Sequence, residues 1–176
     1  MKKQYKSTMK NLKKRYKSLL SVVGMATIVC CMVFLSSCKQ DKWLDWKVEN
    51  EAWMEHNKTL DSIHVTDSGL QYKVLFEGNL TDAKPGNSST VTIEYNGYLI
   101  NGIEFDAGNS SFVVQQLVSG FAEGVKKMHV HADYILYIPW DLGYGEEGGS
   151  AEELSAAYIP PYSTLIFRVH LKAVSN

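Results

Sequence analysis

Beyond position 38 the chain has no cysteine, because Cys30, Cys31 and Cys38 are the whole complement. The folded part therefore carries no disulfide, no thiol and no cysteine metal site, and its stability must come from packing. Acidic residues are missing from the first 37 positions, which hold eight basic ones: Lys2, Lys3, Lys6, Lys10, Lys13, Lys14, Arg15 and Lys17. The remainder then has ten basic against nineteen acidic residues, a net of -9, which argues against nucleic acid as a partner. Also absent are a Walker-type glycine loop, HExxH and GxSxG, so conventional catalysis is not advertised. What is present, 45% hydrophobic and 11% aromatic content in 176 residues, suffices for one core with an appendage.

The basic block runs into an apolar stretch that closes on Leu35-Ser36-Ser37-Cys38, the layout of a secretory signal. The ending is similar to a bacterial lipobox, which makes Cys38 the expected lipid-modified first residue after cleavage. A retained transmembrane anchor is the alternative, since the 17 residues from Leu19 to Leu35 nearly span a bilayer. Either way the expectation is extracytoplasmic: a domain tethered to a bacterial membrane on its periplasmic or cell-surface face.

Three segments follow: a leader over 1–38, a helical extension over 39–66 and a main domain over 67–174. In the extension, Trp43, Trp46, Trp53 and Leu60 are spaced by three and seven, which predicts a short helix with those residues near one face. That face either packs on the main domain or serves self-association, as exposed aromatic stripes often mark contacts. From Leu70 the period becomes two. Val91, Ile93, Tyr95 and Leu99 share one face, with Thr92, Glu94 and Asn96 opposite, and Asn101-Gly102 predicts a two-residue hairpin turn. Leu165, Phe167, Val169 and Leu171 form another strand face, and "VHADYILYIP" reads as a more fully buried strand. Helical spacing recurs in "SGFAEGVKKM" through Phe121, Val125 and Met128. Several antiparallel strands and one short helix make an α+β domain in which the helix covers one sheet face.

Candidate chemistry is sparse. His129 and His131 would share one side of a strand, but no third ligand is evident, so a solvated strand or turn is expected and no metal. Glu146, Glu147, Glu152 and Glu153 lie in a Gly- and Ser-rich stretch that reads as a mobile surface loop. Pro160 and Pro161 fix the approach to the last strand, since proline lacks a donor and holds its own φ.

Five phrases, "SGLQYKVLFEG", "VTIEYNGYLINGIEFD", "LVSGFAEGVKKM", "YIPWDLGYG" and "YIPPYSTLIFRVHL", occur in an order and spacing that resembles the FKBP-type peptidyl-prolyl cis-trans isomerases. The resemblance covers Ser68 to Val174. It implies a curved antiparallel β-sheet wrapped around one short α-helix, with an apolar cleft between them for a proline ring and no cofactor. Carried over, the cleft residues are Tyr95, Phe105, Asp106, Phe121, Tyr144, Ile159 and Phe167, with Leu117, Val118 and Tyr158 as further substrate contacts. The Ile159 N–H and the Tyr144 hydroxyl would hold substrate carbonyls, and Asp106 would orient neighbours such as Tyr95. Pro160 and Pro161 would then stiffen the segment presenting Ile159.

This sequence departs from the family pattern in five respects. Phe121 stands where the strongest isomerases carry Trp, Ser110 where another wall aromatic is common, and Tyr158 where an aliphatic residue often precedes Ile159. "AGNSSF" after Asp106 reads as a short loop, and the segment from Tyr144 to Ile159 is longer than usual. Two functions from different classes follow. One is a lipid-anchored isomerase acting on Xaa-Pro segments of exported proteins, and the other is a catalytically weak binding module for Pro-containing or apolar segments.

Overall fold

The computed structural model describes residues 42–175. The basic leader, the apolar run and Cys38 lie outside the described residues, and with them the expectation of cleavage and lipidation. In chain order come helix α1 (Leu44–Asn57), strands β1 (His64–Val65), β2 (Gln71–Phe76), β3 (Thr90–Tyr98) and β4 (Glu104–Val113), helix α2 (Ser119–Val125), and strands β5 (Asp133–Ile138) and β6 (Leu165–Ser175). Single 3-10 turns sit at Val114–Gln116 and Trp140–Leu142. The strands form one sheet in the order β1-β2-β5-β6-β3-β4, every neighbouring pair antiparallel. This is the expected α+β arrangement.

One sheet face carries the core. Alternate residues of β3 (Val91, Ile93), β5 (Tyr134, Leu136, Ile138) and β6 (Leu165, Phe167, Val169, Leu171) are buried there, as a period of two requires. Helix α2 closes that face and buries Phe121 and Val125, with Met128 just beyond its end. Its close approach depends on two glycines. A Cβ at Gly120 would lie 2.5 Å from Ile138 Cγ2, and one at Gly124 would lie 2.5 Å from Leu136 Cδ1. β5 is half-covered on its other face rather than buried throughout, because Asp133, Ile135 and Tyr137 alternate with the buried residues.

The hairpin between β3 and β4 differs from the expected two-residue turn. The Gly102 N–H bonds to Leu99 O and the Leu99 N–H bonds to Ile103 O, leaving Ile100, Asn101 and Gly102 as a three-residue loop. Gly102 takes φ +83° while Asn101 stays out of the left-handed region, the pattern of a type I turn followed by a left-handed residue. "AGNSSF" is no loop either. Ala107 to Phe112 continue β4 and pair one for one with Asn96 to Val91.

Helix α1 packs on the rest of the domain through its tryptophan side, the first of the two readings of that face. Trp46 Nε1 donates to Ser163 Oγ at 3.0 Å, Trp53 lies 5.7 Å from the Tyr137 ring, and Trp43 lies 6.1 Å from the Tyr158 ring. Leu60 does not join them, because the helix ends at Asn57 and Leu60 is exposed. The residues α1 buries most deeply are Asn50, Met54 and Asn57. Asn50 Oδ1 accepts the Thr164 N–H at 2.7 Å, Asn57 Nδ2 donates to Gln71 Oε1 at 2.9 Å, and Gln71 Nε2 donates to Met54 O at 2.9 Å. Buried amides are tolerable here because their polar atoms find partners.

Candidate active site

Between the core face of β3 and β6 and the entry to α2 lies a cleft of about 310 Å³. Ile93, Tyr95, Asp106, Phe112, Gln116, Leu117, Val118, Phe121, Tyr144 and Phe167 line it. Each wall follows from local sequence. Ile93 and Tyr95 are two residues apart on β3 and so share its inner face, while Phe167 sits across from Gly97 on β6. Without a side chain at Gly97 the rings can meet, since a Cβ there would lie 2.7 Å from Phe167 Cε1 and 2.8 Å from Phe105 Cζ. Leu117 and Val118 have extended backbone, with Val118 at φ -57° and ψ 146°, and lead directly into α2.

A bulge in β4 sets the polar corner. The pairing steps from Gly97↔Asp106 to Tyr98↔Glu104, so Phe105 is the extra residue. A bulge of this kind re-aims side chains, and here two consecutive residues both serve the inner side. Phe105 is buried against Phe167 with ring centroids 5.4 Å apart, and Asp106 Oδ2 accepts the Tyr95 hydroxyl at 3.0 Å. Tyr95 is the hub of an aromatic cluster, 6.0 Å from Phe112, 6.4 Å from Phe121 and 6.1 Å from Phe167. Phe121 and Phe167 meet edge to face at 4.8 Å, a favourable ring geometry.

Both cleft tyrosines hold their protons firmly. Burial, the hydrogen bond to Asp106 and the charge of Asp106 push Tyr95 up to about 12. Burial, and after it the Asp106 charge, also raises Tyr144. Both hydroxyls are therefore neutral donors at ordinary pH, placed around one carboxylate.

Of the ten cleft residues expected from sequence, the structure brings Tyr95, Asp106, Leu117, Val118, Phe121, Tyr144 and Phe167 to one wall system. Phe105 and Ile159 stand behind it as core, at 6% and 5% exposure. Tyr158 is outside the lining and packs on Trp43. Sequence reasoning missed Ile93, Phe112 and Gln116 as lining. Phe112 supplies the wall aromatic that Ser110 does not, and it belongs to the same alternate set of β4 as Ser110, which was the available signal. His129 and His131 fall on a turn, not a strand, and His129 Nδ1 is 2.8 Å from Asp82 O. The stretch from Glu146 to Ala157 forms turns, such as Ser155 N–H to Glu152 O at 2.8 Å, with Glu153 paired to Lys42.

A six-stranded antiparallel sheet closed by one short helix over an aromatic cleft with a single lining carboxylate is built for non-covalent binding of an apolar segment. The chain belongs to the FKBP-type peptidyl-prolyl cis-trans isomerase family, whose profile matches residues 81–172. It is 39% identical over 135 residues to "Outer membrane protein MIP" of Legionella longbeachae, covering 74% of this chain and 54% of that protein. It is 34% identical over 128 residues to "FKBP-type 22 kDa peptidyl-prolyl cis-trans isomerase" of Escherichia coli, covering 70% of this chain and 58% of that protein. The chain thus spans about half the length of the curated relatives it matches. Among solved structures, FkpA from Escherichia coli aligns with a TM-score of 0.68 at 30% identity, covering 86% of this chain and 71% of that one. A peptidyl-prolyl cis-trans isomerase from Pseudomonas syringae aligns with a TM-score of 0.69 at 26% identity, covering 78% of this chain and 99% of that one.

Proposed function

We propose that the cleft receives an Xaa-Pro segment of a polypeptide and accelerates its cis-trans isomerisation, so that the chain assists the folding of exported proteins. The observation that carries this reading is the aromatic wall of Tyr95, Phe112, Phe121 and Phe167 around one carboxylate-bound hydroxyl. Rotation about an Xaa-Pro bond breaks amide resonance and faces a barrier of about 18 to 20 kcal/mol. The planar amide carries more charge separation than the twisted one, and water stabilises that separation. An apolar cleft withdraws the water and so disfavours the planar form, each ~1.4 kcal/mol of difference giving about tenfold in rate. No nucleophile is required. Tyr144 at the rim, neutral and 43% exposed, is suited to donate to a substrate carbonyl, while Asp106 holds the Tyr95 ring in place. Ile159 contributes through its backbone N–H, in the segment that Pro160 and Pro161 stiffen.

The setting is extracytoplasmic. The basic, then apolar leader ending at Cys38 supports it, and so does a relative named as an outer membrane protein. Cys38 carries the lipid and tethers the domain to the membrane.

The test is cis-trans exchange in a short Leu-Pro peptide, followed by NMR at several concentrations of the intact chain. Exchange should accelerate in proportion to enzyme, and Tyr144→Phe should slow it roughly three- to tenfold, the effect of one neutral hydrogen bond. Asp106→Ala should slow it as well. Peptide resonances that shift on binding while exchange stays at the uncatalysed rate would make the cleft a recognition pocket and end the isomerase reading.

A further inference from the structure

Tyr144 stands at the cleft on a stretch without helix or strand, and what keeps it there lies outside the cleft. The Trp140 carbonyl accepts two N–H groups, from Gly143 at 3.1 Å and Gly145 at 2.8 Å, so the backbone of Tyr144 hangs from Trp140 on both sides. Gly145, at φ +68°, returns its carbonyl to the Tyr162 N–H at 2.9 Å. The two side chains at these anchor points meet, the Trp140 and Tyr162 rings crossing edge to face with centroids 5.4 Å apart.

Helix α1 grips this pair. Lys47 Nζ lies 4.9 Å from the Trp140 centroid and 4.6 Å from that of Tyr162, within the range of a cation over aromatic rings. One turn on, Glu51 Oε1 accepts the Trp140 indole N–H at 3.4 Å. Residues four apart share a helix face, so both contacts come from one side of α1. The adjoining side of α1 is itself pinned to the segment after Tyr162, by Trp46 to Ser163 Oγ and by Thr164 N–H to Asn50 Oδ1. The Tyr144 loop is thus held between α1 and the approach to β6.

We propose that Trp140 is a positioning residue and α1 its clamp: Lys47 and Glu51 fix the indole, and the indole fixes where the Tyr144 hydroxyl stands at the cleft. The inference rests on the isomerase reading for its catalytic consequence, and on geometry alone for the placement of Tyr144. A segment whose sequence shows only scattered tryptophans thereby becomes part of the site it never touches.

The test uses the intact chain with carbon-13 in its tyrosine rings. The Tyr144 signal, assigned by its loss in Tyr144→Phe, should move or split in Trp140→Ala and in Lys47→Met, and return close to wild type in Trp140→Phe. The Tyr95 signal should stay in place. Lys47→Met replaces one surface-reaching cation and guards against a Trp140→Ala chain that fails to fold. A Tyr144 signal unchanged in Lys47→Met and in any folded Trp140→Ala overturns the proposal.

A double-mutant cycle supplies the functional readout. Lys47→Met should lower kcat/KM by about the factor seen for Tyr144→Phe, roughly three- to tenfold, and combining the two should add less than about twofold. Losses that multiply would make α1 a packing element only. Wild-type chain without any rate acceleration would end the isomerase reading, and the cycle is then read in peptide affinity, where the same coupling is expected and multiplying losses still refute the clamp.

Discussion

Phe121 forms the floor of the cleft, 4% exposed and edge-on to Phe167 at 4.8 Å. Its ring is flat and apolar, yet smaller than an indole, and the open volume of about 310 Å³ in front of it leaves room for more surface. Phe121→Trp should raise kcat for a Leu-Pro peptide about tenfold while changing peptide affinity by less than about twofold, because the added surface acts on the desolvated, twisting amide. Exchange spectroscopy and a binding titration on the same samples measure both, and a gain in affinity with no gain in turnover would contradict the desolvation account. At this scale the site was legible where a residue type and strand parity agreed. Tyr95 and Phe167 both lie on inner-face parity and both line the cleft. Phe105 and Ile159 could not be told from lining by sequence, since a bulge at Phe105 and the packing around Ile159 decide which ring or branch reaches the opening.

At the scale of elements, local signals and tertiary pairing compete. "AGNSSF" holds four turn-favouring residues, Gly108 to Ser111, and its pairing with Asn96 to Val91 overrides their preference. In α1 the tryptophan spacing located the helix, but its most buried positions include two asparagines, whose partners Thr164 and Gln71 lie 114 and 14 residues away. No periodicity announces such a pair. Asn50→Ala should cost about 1–3 kcal/mol, because the buried Thr164 N–H loses its acceptor. The Thr164 hydroxyl beside it is buried without a partner among the described residues, so Thr164→Val should leave stability unchanged or raise it. Urea midpoints for the two variants should therefore move in opposite directions or leave only Asn50→Ala displaced. A drop of similar size in both would mean that the Thr164 hydroxyl is satisfied in solution.

The whole domain responds to alkaline pH through its tyrosines. Tyr95 is raised to about 12 by burial and Asp106, Tyr134 is raised by burial and Glu77, and burial raises Tyr137. Each binds its proton more tightly folded than unfolded. Their contribution is complete below the ordinary tyrosine value near 10, and it is lost as pH climbs from there through the folded value. Stability measured by urea unfolding should therefore fall between about pH 10 and 12. The fall should be shallower in Tyr95→Phe, though not abolished, and an equal slope in both chains would mean that Tyr95 titrates normally. Among the described residues the sheet that holds these rings has two unpaired margins. One margin is the two-residue β1, and the other is the ten-residue β4, which carries only small or polar residues from Gly108 to Ser111 and is broken by the bulge at Phe105. An exposed strand margin invites another extended chain to add itself, and brevity, polarity and bulges discourage it. For a domain whose proposed clients are unfolded chains, that design separates service from entrapment: a passing segment can lend its proline to the cleft without being knitted into the sheet.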